Sequence, residues 1–220
     1  MKPFVYHLSI FFIPDTELSK PLDLALLQDR LLKLPDSNSI KLPPWSLQHW
    51  LYRYVMSDQA NPRNQHVLTL SHHGGKGYAY ITGANVITGS GNQINNLNHL
   101  LNTKLSLLWP ARPTLHIANA PAYEVEPGLT VRLGNVMQIG QPAQLRGLIC
   151  CIQATKAEAA PSDNVKADED DKGGLLTRVK ELWAKVGAQN AKEYYSTSNE
   201  GMSDAHAEAK AWCDALRLRG

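Results

Sequence analysis

Cysteine is scarce in this 220-residue chain: Cys150, Cys151 and Cys213 make an odd count with two of the three adjacent. That is a poor disulfide framework, and without a CxxC pair there is no structural-zinc signature either. Adjacent strand residues point to opposite faces, so Cys150 and Cys151 do not share a ligand. A reducing, cytoplasmic setting is the expectation. Long apolar runs are also missing, which removes a spanning helix and leaves no membrane partner. Near the start, Pro14-Asp15 stands where a signal peptide would need small residues for cleavage, so the opening is read as a first strand.

Charge of one sign is missing too: 22 Lys+Arg oppose 20 Asp+Glu. Residues 1–155 carry 12 basic and 8 acidic side chains, whereas residues 156–220 carry 10 and 12. A mildly basic body and a mildly acidic tail hide behind a near-neutral total. The sharpest absence is local. From Gln59 to Tyr123, 65 residues, there is no Asp or Glu, against about six expected at the chain's own frequency. The same stretch holds Arg63, Lys76, Lys104, Arg112, five histidines and nine asparagines.

What is present is α+β in pattern. The expected architecture is a mixed, mainly antiparallel sheet body with packed helices over 1–155. A flexible acidic linker over 156–174 and a C-terminal helical pair over 175–220 follow. Phe4 to Ile13 is β-branched and aromatic and reads as a central strand. Ser19 and Pro21 introduce a leucine-rich helix, Leu22 to Leu34, closed by Pro35. Pro43 and Pro44 precede a second helical stretch, Trp45 to Met56. His66–Ser71 and Gly77–Thr82 form a hairpin around His72-His73-Gly74-Gly75-Lys76, with another short strand at Asn85–Thr88. A helix over Leu97–Leu108 and short strands at Thr114–Ala118, Leu129–Leu133, Val136–Ile139 and Gly147–Thr155 complete the body. Residues 156–174, with Asp168 to Asp171 in a row, have too little apolar surface to offset the entropy of ordering. Beyond them, Leu175, Leu176, Val179, Leu182, Trp183 and Val186 recur at helical spacing, and Ala188 to Tyr195 can extend that helix. Ser203 opens another, with Ala205, Ala209, Trp212 and Leu216 as its stripe.

No motif fixes a reaction. The glycine loop is not a Walker A motif, since Gly77 follows Lys76 where Ser or Thr is required. Ser90 lacks the flanking glycines of a nucleophile elbow. The acid-free stretch starves any two-metal carboxylate chemistry. It does combine cations, neutral donors and aromatic faces, as single-stranded nucleic acid sites do. The leading expectation is therefore a non-catalytic subunit of a larger assembly that contacts RNA or single-stranded DNA. Arg63, Lys76, Lys104 and Arg112 would hold the backbone, with Tyr78 or Trp109 stacking. One alternative is an interaction subunit working through the apolar stripes of 175–220, on a protein partner or a second copy. The other is a metal-independent ribonuclease with His72 or His73 as base and Lys76 as the phosphorane's cation. A zinc site from His72, His73 and His116 is weighed against ordinary hydrogen-bonded histidines and set aside, so no metal or cofactor is assigned.

Overall fold

The protein's structure, a computed structural model, describes residues 5–14, 23–34, 39–56, 63–157, 167–186, 191–195 and 203–217. Among these described residues, nine strands follow one another: β1 (Val5–Pro14), β2 (Ile40–Arg53), β3 (Asn64–Leu70), β4 (Lys76–Ile81), β5 (Val86–Ser90), β6 (Leu115–Glu126), β7 (Leu129–Gln138), β8 (Gln144–Ala157) and β9 (Ala191–Tyr195). Four described α-helices accompany them: α1 (Leu24–Leu32), α2 (Gly91–Thr103), α3 (Ala167–Val186) and α4 (Asp204–Arg217). Hydrogen-bonded neighbours run β5-β4-β3-β2-β6-β7-β8-β1-β9. The β1–β8, β1–β9, β2–β3, β3–β4 and β4–β5 pairs are antiparallel. The expected α+β class stands.

The chain forms two compact units that are not consecutive in sequence. One comprises Met1–Pro44, Pro121–Gly134 and Leu148–Thr197, the other Trp45–Ala120, Asn135–Gly147 and Ser198–Gly220. In the first, β1 lies between β8 and β9, with Ile10 opposite both Ile152 and Tyr195. Ile10, Phe11 and Phe12 are fully buried, as a strand interior to a sheet requires. Asp23 caps α1 by accepting from the Ala25 amide, while Leu27 and Leu31, one helical turn apart, enter the core. From α3, Leu175, Val179, Leu182, Trp183 and Val186 face the same core. Phe12 and Trp183 stack with ring centroids 4.3 Å apart and planes inclined by 11°. Ser19, Pro21 and Pro35, expected to bound the first helix, lie outside the described residues.

In the second unit, β3 is buried on both faces, and two helices cover them. Strand alternation puts Tyr52, Val67 and Ala79 on one face, where α2 seats Ile94 and Leu101. A Cβ at Gly77 would come within 2.7 Å of Ile94 Cγ1, so glycine is what lets this helix approach. Ser90 and Gln93 form a reciprocal capping box at its start. The helix thus begins well before the expected Leu97, and ends at Thr103. Trp45, Leu47, His49, His66, Tyr78 and Tyr80 occupy the other face, where Trp45 meets Trp212 of α4 at 5.3 Å.

Two elements differ in type from expectation. Trp45–Met56 is not helical, because β2 runs through it to Arg53 and alternates its burial at Trp45, Leu47, His49 and Leu51. Pairing with β3, from Leu47 opposite Leu70 to Arg53 opposite Asn64, overrides the helical propensity of the leucines. Ala191–Tyr195 is not an extension of α3 but strand β9 on β1. Of the two C-terminal helices, α3 belongs to the first unit and α4 to the second. Of the expected linker, 156–174, residues 158–166 lie outside the described residues, with β8 ending at Ala157 and α3 starting at Ala167.

Removing the Phe12 ring leaves a cavity against Trp183, so Phe12→Ala should cost about 3–5 kcal/mol in chemical denaturation. A loss under about 1 kcal/mol would show that this stack does not anchor the first unit.

Candidate functional site

The densest cluster of reactive side chains lies in the second unit, where α4 covers the sheet. Its first part comes from the turn after β3. Ser71–His73 form a 3-10 turn, and Gly74 and Gly75 then adopt positive φ (64° and 76°), reversing the chain into β4. The reversal aims both imidazoles at Glu208 of α4. His72 Nε2 is 3.0 Å from Glu208 Oε1, and His73 Nε2 is 3.0 Å from Oε2. Trp212 Nε1 donates to Oε1 at 3.2 Å, and the Tyr78 hydroxyl lies 2.5 Å from His73 Nδ1. Burial works to raise the Glu208 carboxyl, but the hydrogen bonds and charge of His72 and His73 outweigh it and hold it well below the usual carboxylate range. An ionised carboxylate only accepts, so both imidazoles present Nε2–H to it.

A second group sits deeper on the same face. His49 Nε2 and His66 Nδ1 are 3.0 Å apart, and Cys213 places its sulfur within 4.8 Å of ring nitrogens of both. One imidazole must donate to the other, which leaves His49 Nδ1 and His66 Nε2 buried with no hydrogen-bond partner. Burial, then the neighbouring His66, holds His49 down to about 3. Burial, then the Arg217 charge, holds His66 down to about 4.

These groups place the expected residues differently from their assigned roles. His72 and His73 do come together, but both ring nitrogens of His73 are engaged and His72 Nε2 faces a carboxylate. Neither is presented as a base to a bound 2′-hydroxyl. Glu208, not His116, completes the triad with them. Tyr78 is buried at 1% exposure, so its ring face cannot stack on a base. Trp109 is half-buried against Tyr54, their centroids 5.1 Å apart. Arg63, Lys76, Lys104 and Arg112 are exposed, yet Arg63 and Lys76 lie at opposite ends of β3–β4, about 20 Å apart by strand rise. Arg63 and Trp109 do share a neighbourhood: the Arg63 carbonyl accepts from the Tyr54 amide, and Leu105–Arg112 runs alongside the end of β2. Glu208 and His49 were not anticipated. A doublet of histidines at a glycine turn was legible, but nothing local marks an acid 135 residues away.

The site is built as a fastening between a helix and a sheet, which defines an α+β protein whose buried polar groups hold its own elements together. Residues 8–213 match the family model Med20, described as the TATA-binding related factor (TRF) of subunit 20 of Mediator complex. The chain belongs to that family. Among solved structures, a chain in the structure of the Schizosaccharomyces pombe Mediator head module is similar at 12% identity. The match covers 84% of this chain and 97% of that one, with a TM-score of 0.42. No curated protein matches.

Membership corrects three expectations. A Mediator subunit family points to protein partners within a complex, so the RNA or single-stranded DNA reading is overturned, and RNA-binding with it. The ribonuclease is unsupported, and the family points away from an enzyme. Mediator is a nuclear transcription complex, so the cytoplasmic expectation is replaced by a nuclear one. The interaction-subunit alternative is the better supported. Its proposed route is not, because the apolar stripes of α3 and α4 are buried within the chain.

The neutral, buried His49 and His66 set an acid sensitivity. Their folded values lie below the ordinary 6.5, so the unfolded chain takes up protons first as pH falls. Their stabilisation is complete above about pH 6.5 and is lost on descent toward pH 4, at up to about 1.4 kcal/mol per pH unit for each histidine. Cys213 and Tyr80, both held above their ordinary values by burial first, face the pair and stay neutral through that window. Thermal melts between pH 7 and 4 should show the loss, and His49→Phe should roughly halve the slope. An unchanged slope would mean that His49 is already protonated or exposed.

Proposed function

We propose that the chain acts as a non-enzymatic interaction subunit of a Mediator assembly, and that its second unit carries the contact surface. The observation that carries this reading is an exposed apolar group where the end of β2 meets the chain following α2. Val55, Met56, Leu107 and Leu108 are 50%, 77%, 88% and 46% exposed. The Val55 amide donates to the Leu108 carbonyl at 3.0 Å, and the Arg53 amide to that of Pro110 at 3.2 Å, so the two segments are held side by side. Exposed apolar side chains gathered in this way mark a protein contact more than a solvated loop.

Charge specifies the partner's chemistry. Arg53, Arg63, Lys104 and Arg112 are exposed in the same neighbourhood, and no acid occurs from Gln59 to Tyr123. Over the whole unit, nine Lys+Arg oppose five Asp+Glu. A polypeptide partner with apolar anchors and acidic flanks suits such a surface. The charge pattern that resembled a nucleic acid footprint thus serves a protein contact.

Co-purification of Mediator with the tagged full-length chain tests the reading. Leu107→Asp with Leu108→Asp should reduce recovery about 30-fold or more at unchanged circular dichroism, since losing central anchors costs on the order of 1–2 kcal/mol each. Raising salt should weaken recovery further. Equal recovery by the double variant would move the contact elsewhere, and no recovery by the unmodified chain would defeat the subunit reading itself.

A further inference from the structure

We propose that His72, His73 and Glu208 form a binding site for a divalent transition-metal ion, zinc by chemical type, that clasps α4 to the turn after β3. Two imidazoles and one carboxylate are a recognised zinc donor set that leaves a fourth position for water. Their ligating atoms already converge, all lying within 4.8 Å of one another. Each Nε2 is 3.0 Å from a Glu208 oxygen, whereas bonds of about 2.0–2.2 Å to a tetrahedral ion put neighbouring donors about 3.3–3.5 Å apart. Each imidazole–carboxylate separation then needs to open by only a few tenths of an ångström. The side chains of His72, His73 and Glu208 are 15%, 11% and 10% exposed, enough for water to reach the fourth position.

The surroundings suit both the free and the loaded triad. Without an ion, each Nε2–H donates to the carboxylate, and His73 Nδ1 is hydrogen-bonded to the Tyr78 hydroxyl. With an ion on Nε2, the His73 proton resides on Nδ1 and is donated to the same hydroxyl, which now accepts. A tyrosine hydroxyl is one of the few side-chain groups that performs both roles without moving. The indole N–H of Trp212 fixes Glu208 in either case. Metal-bound histidines and carboxylates are ordinarily steadied by such outer partners. The ligands come from two separate elements, so binding adds to the stability of the folded chain. The deeper His49–His66–Cys213 group is a weaker candidate, because its imidazoles are sealed from water and burial raises the Cys213 thiol well above its ordinary value.

Purified full-length chain, stripped with chelator, is titrated with Zn2+ against a chromophoric chelator and, separately, with Co2+. The expected result is one equivalent bound, a rise in melting temperature with Zn2+, and a visible cobalt spectrum of tetrahedral intensity without thiolate charge transfer. Glu208→Gln keeps hydrogen-bonding capacity but loses the anionic ligand, and should weaken binding at least about 100-fold. Tyr78→Phe removes only the outer hydroxyl and should weaken it about 10-fold, which keeps the test decisive if the first variant folds poorly. No Zn2+ bound by the unmodified chain would overturn the assignment, as would affinity unchanged in Tyr78→Phe. A cobalt–thiolate band would overturn it in favour of Cys213.

Discussion

A strand buried on both faces has to be covered on both, and in the second unit that requirement governs nearly everything else. β3 buries six of its seven side chains, including Asn64, Gln65 and His66. α2 covers the face carrying Val67, and α4 covers the face carrying His66. Once α4 is committed in this way, with Ala209, Trp212, Cys213 and Leu216 essentially inaccessible, it has no apolar surface left for a partner. In the first unit α3 makes the same commitment through Val179 and Trp183. A helix that is amphipathic in sequence and unattached in composition is therefore a covering element here, and interaction falls to what remains exposed at the edges.

The two helix-covered faces of the second unit are of different chemistry. Under α2 the contact is mainly apolar, with Tyr52 supplying a hydroxyl that hydrogen-bonds Asn98 and Asn102. Under α4 it is aromatic and imidazole-rich, and carries Glu208. Burying polar groups there costs more than burying leucine would, and His49 and His66 retain buried nitrogens without partners. Such a face specifies its helix by directed bonds: the Glu208 oxygens must meet two imidazoles and an indole, whereas a leucine stripe tolerates sliding by a turn. The polar cluster contributes register where the apolar contacts contribute affinity.

Much of this was legible in the chain. β1 announced itself through Leu8 to Ile13, a run of apolar and β-branched residues with only Ser9 polar, too dense for a half-exposed helix. The β3–β4 hairpin was legible from the length and glycine content of the loop between its two β-rich runs, where Gly74 and Gly75 supply the positive φ. β2 was misread because its inward positions are Trp45, Leu47, His49 and Leu51. A histidine in an apolar slot broke the period of two while Trp50 and Tyr52 on the other face imitated a helical stripe. β9 carried too little pattern, since only Ala191 and Tyr194 are even half-buried. The histidine turn was visible and its partner was not, because proximity of Glu208 to His72 is a property of the sheet's connectivity.

The acid-free stretch makes the same point about function. Composition alone fixes the sign of the field that a region presents, not the class of molecule that answers it. Separating phosphate from carboxylate requires the placement of apolar side chains beside the cations. A polynucleotide wants aromatic faces open for stacking, and the tyrosine offered for that role is buried, while the tryptophan is half-covered by Tyr54. What stands open beside the arginines is aliphatic: Val55, Met56, Leu107 and Leu108. Aliphatic side chains gain little from a base but gain the hydrophobic contribution in full from a protein's leucines and valines. The positive field then steers and orients an acidic partner, and the aliphatic group retains it.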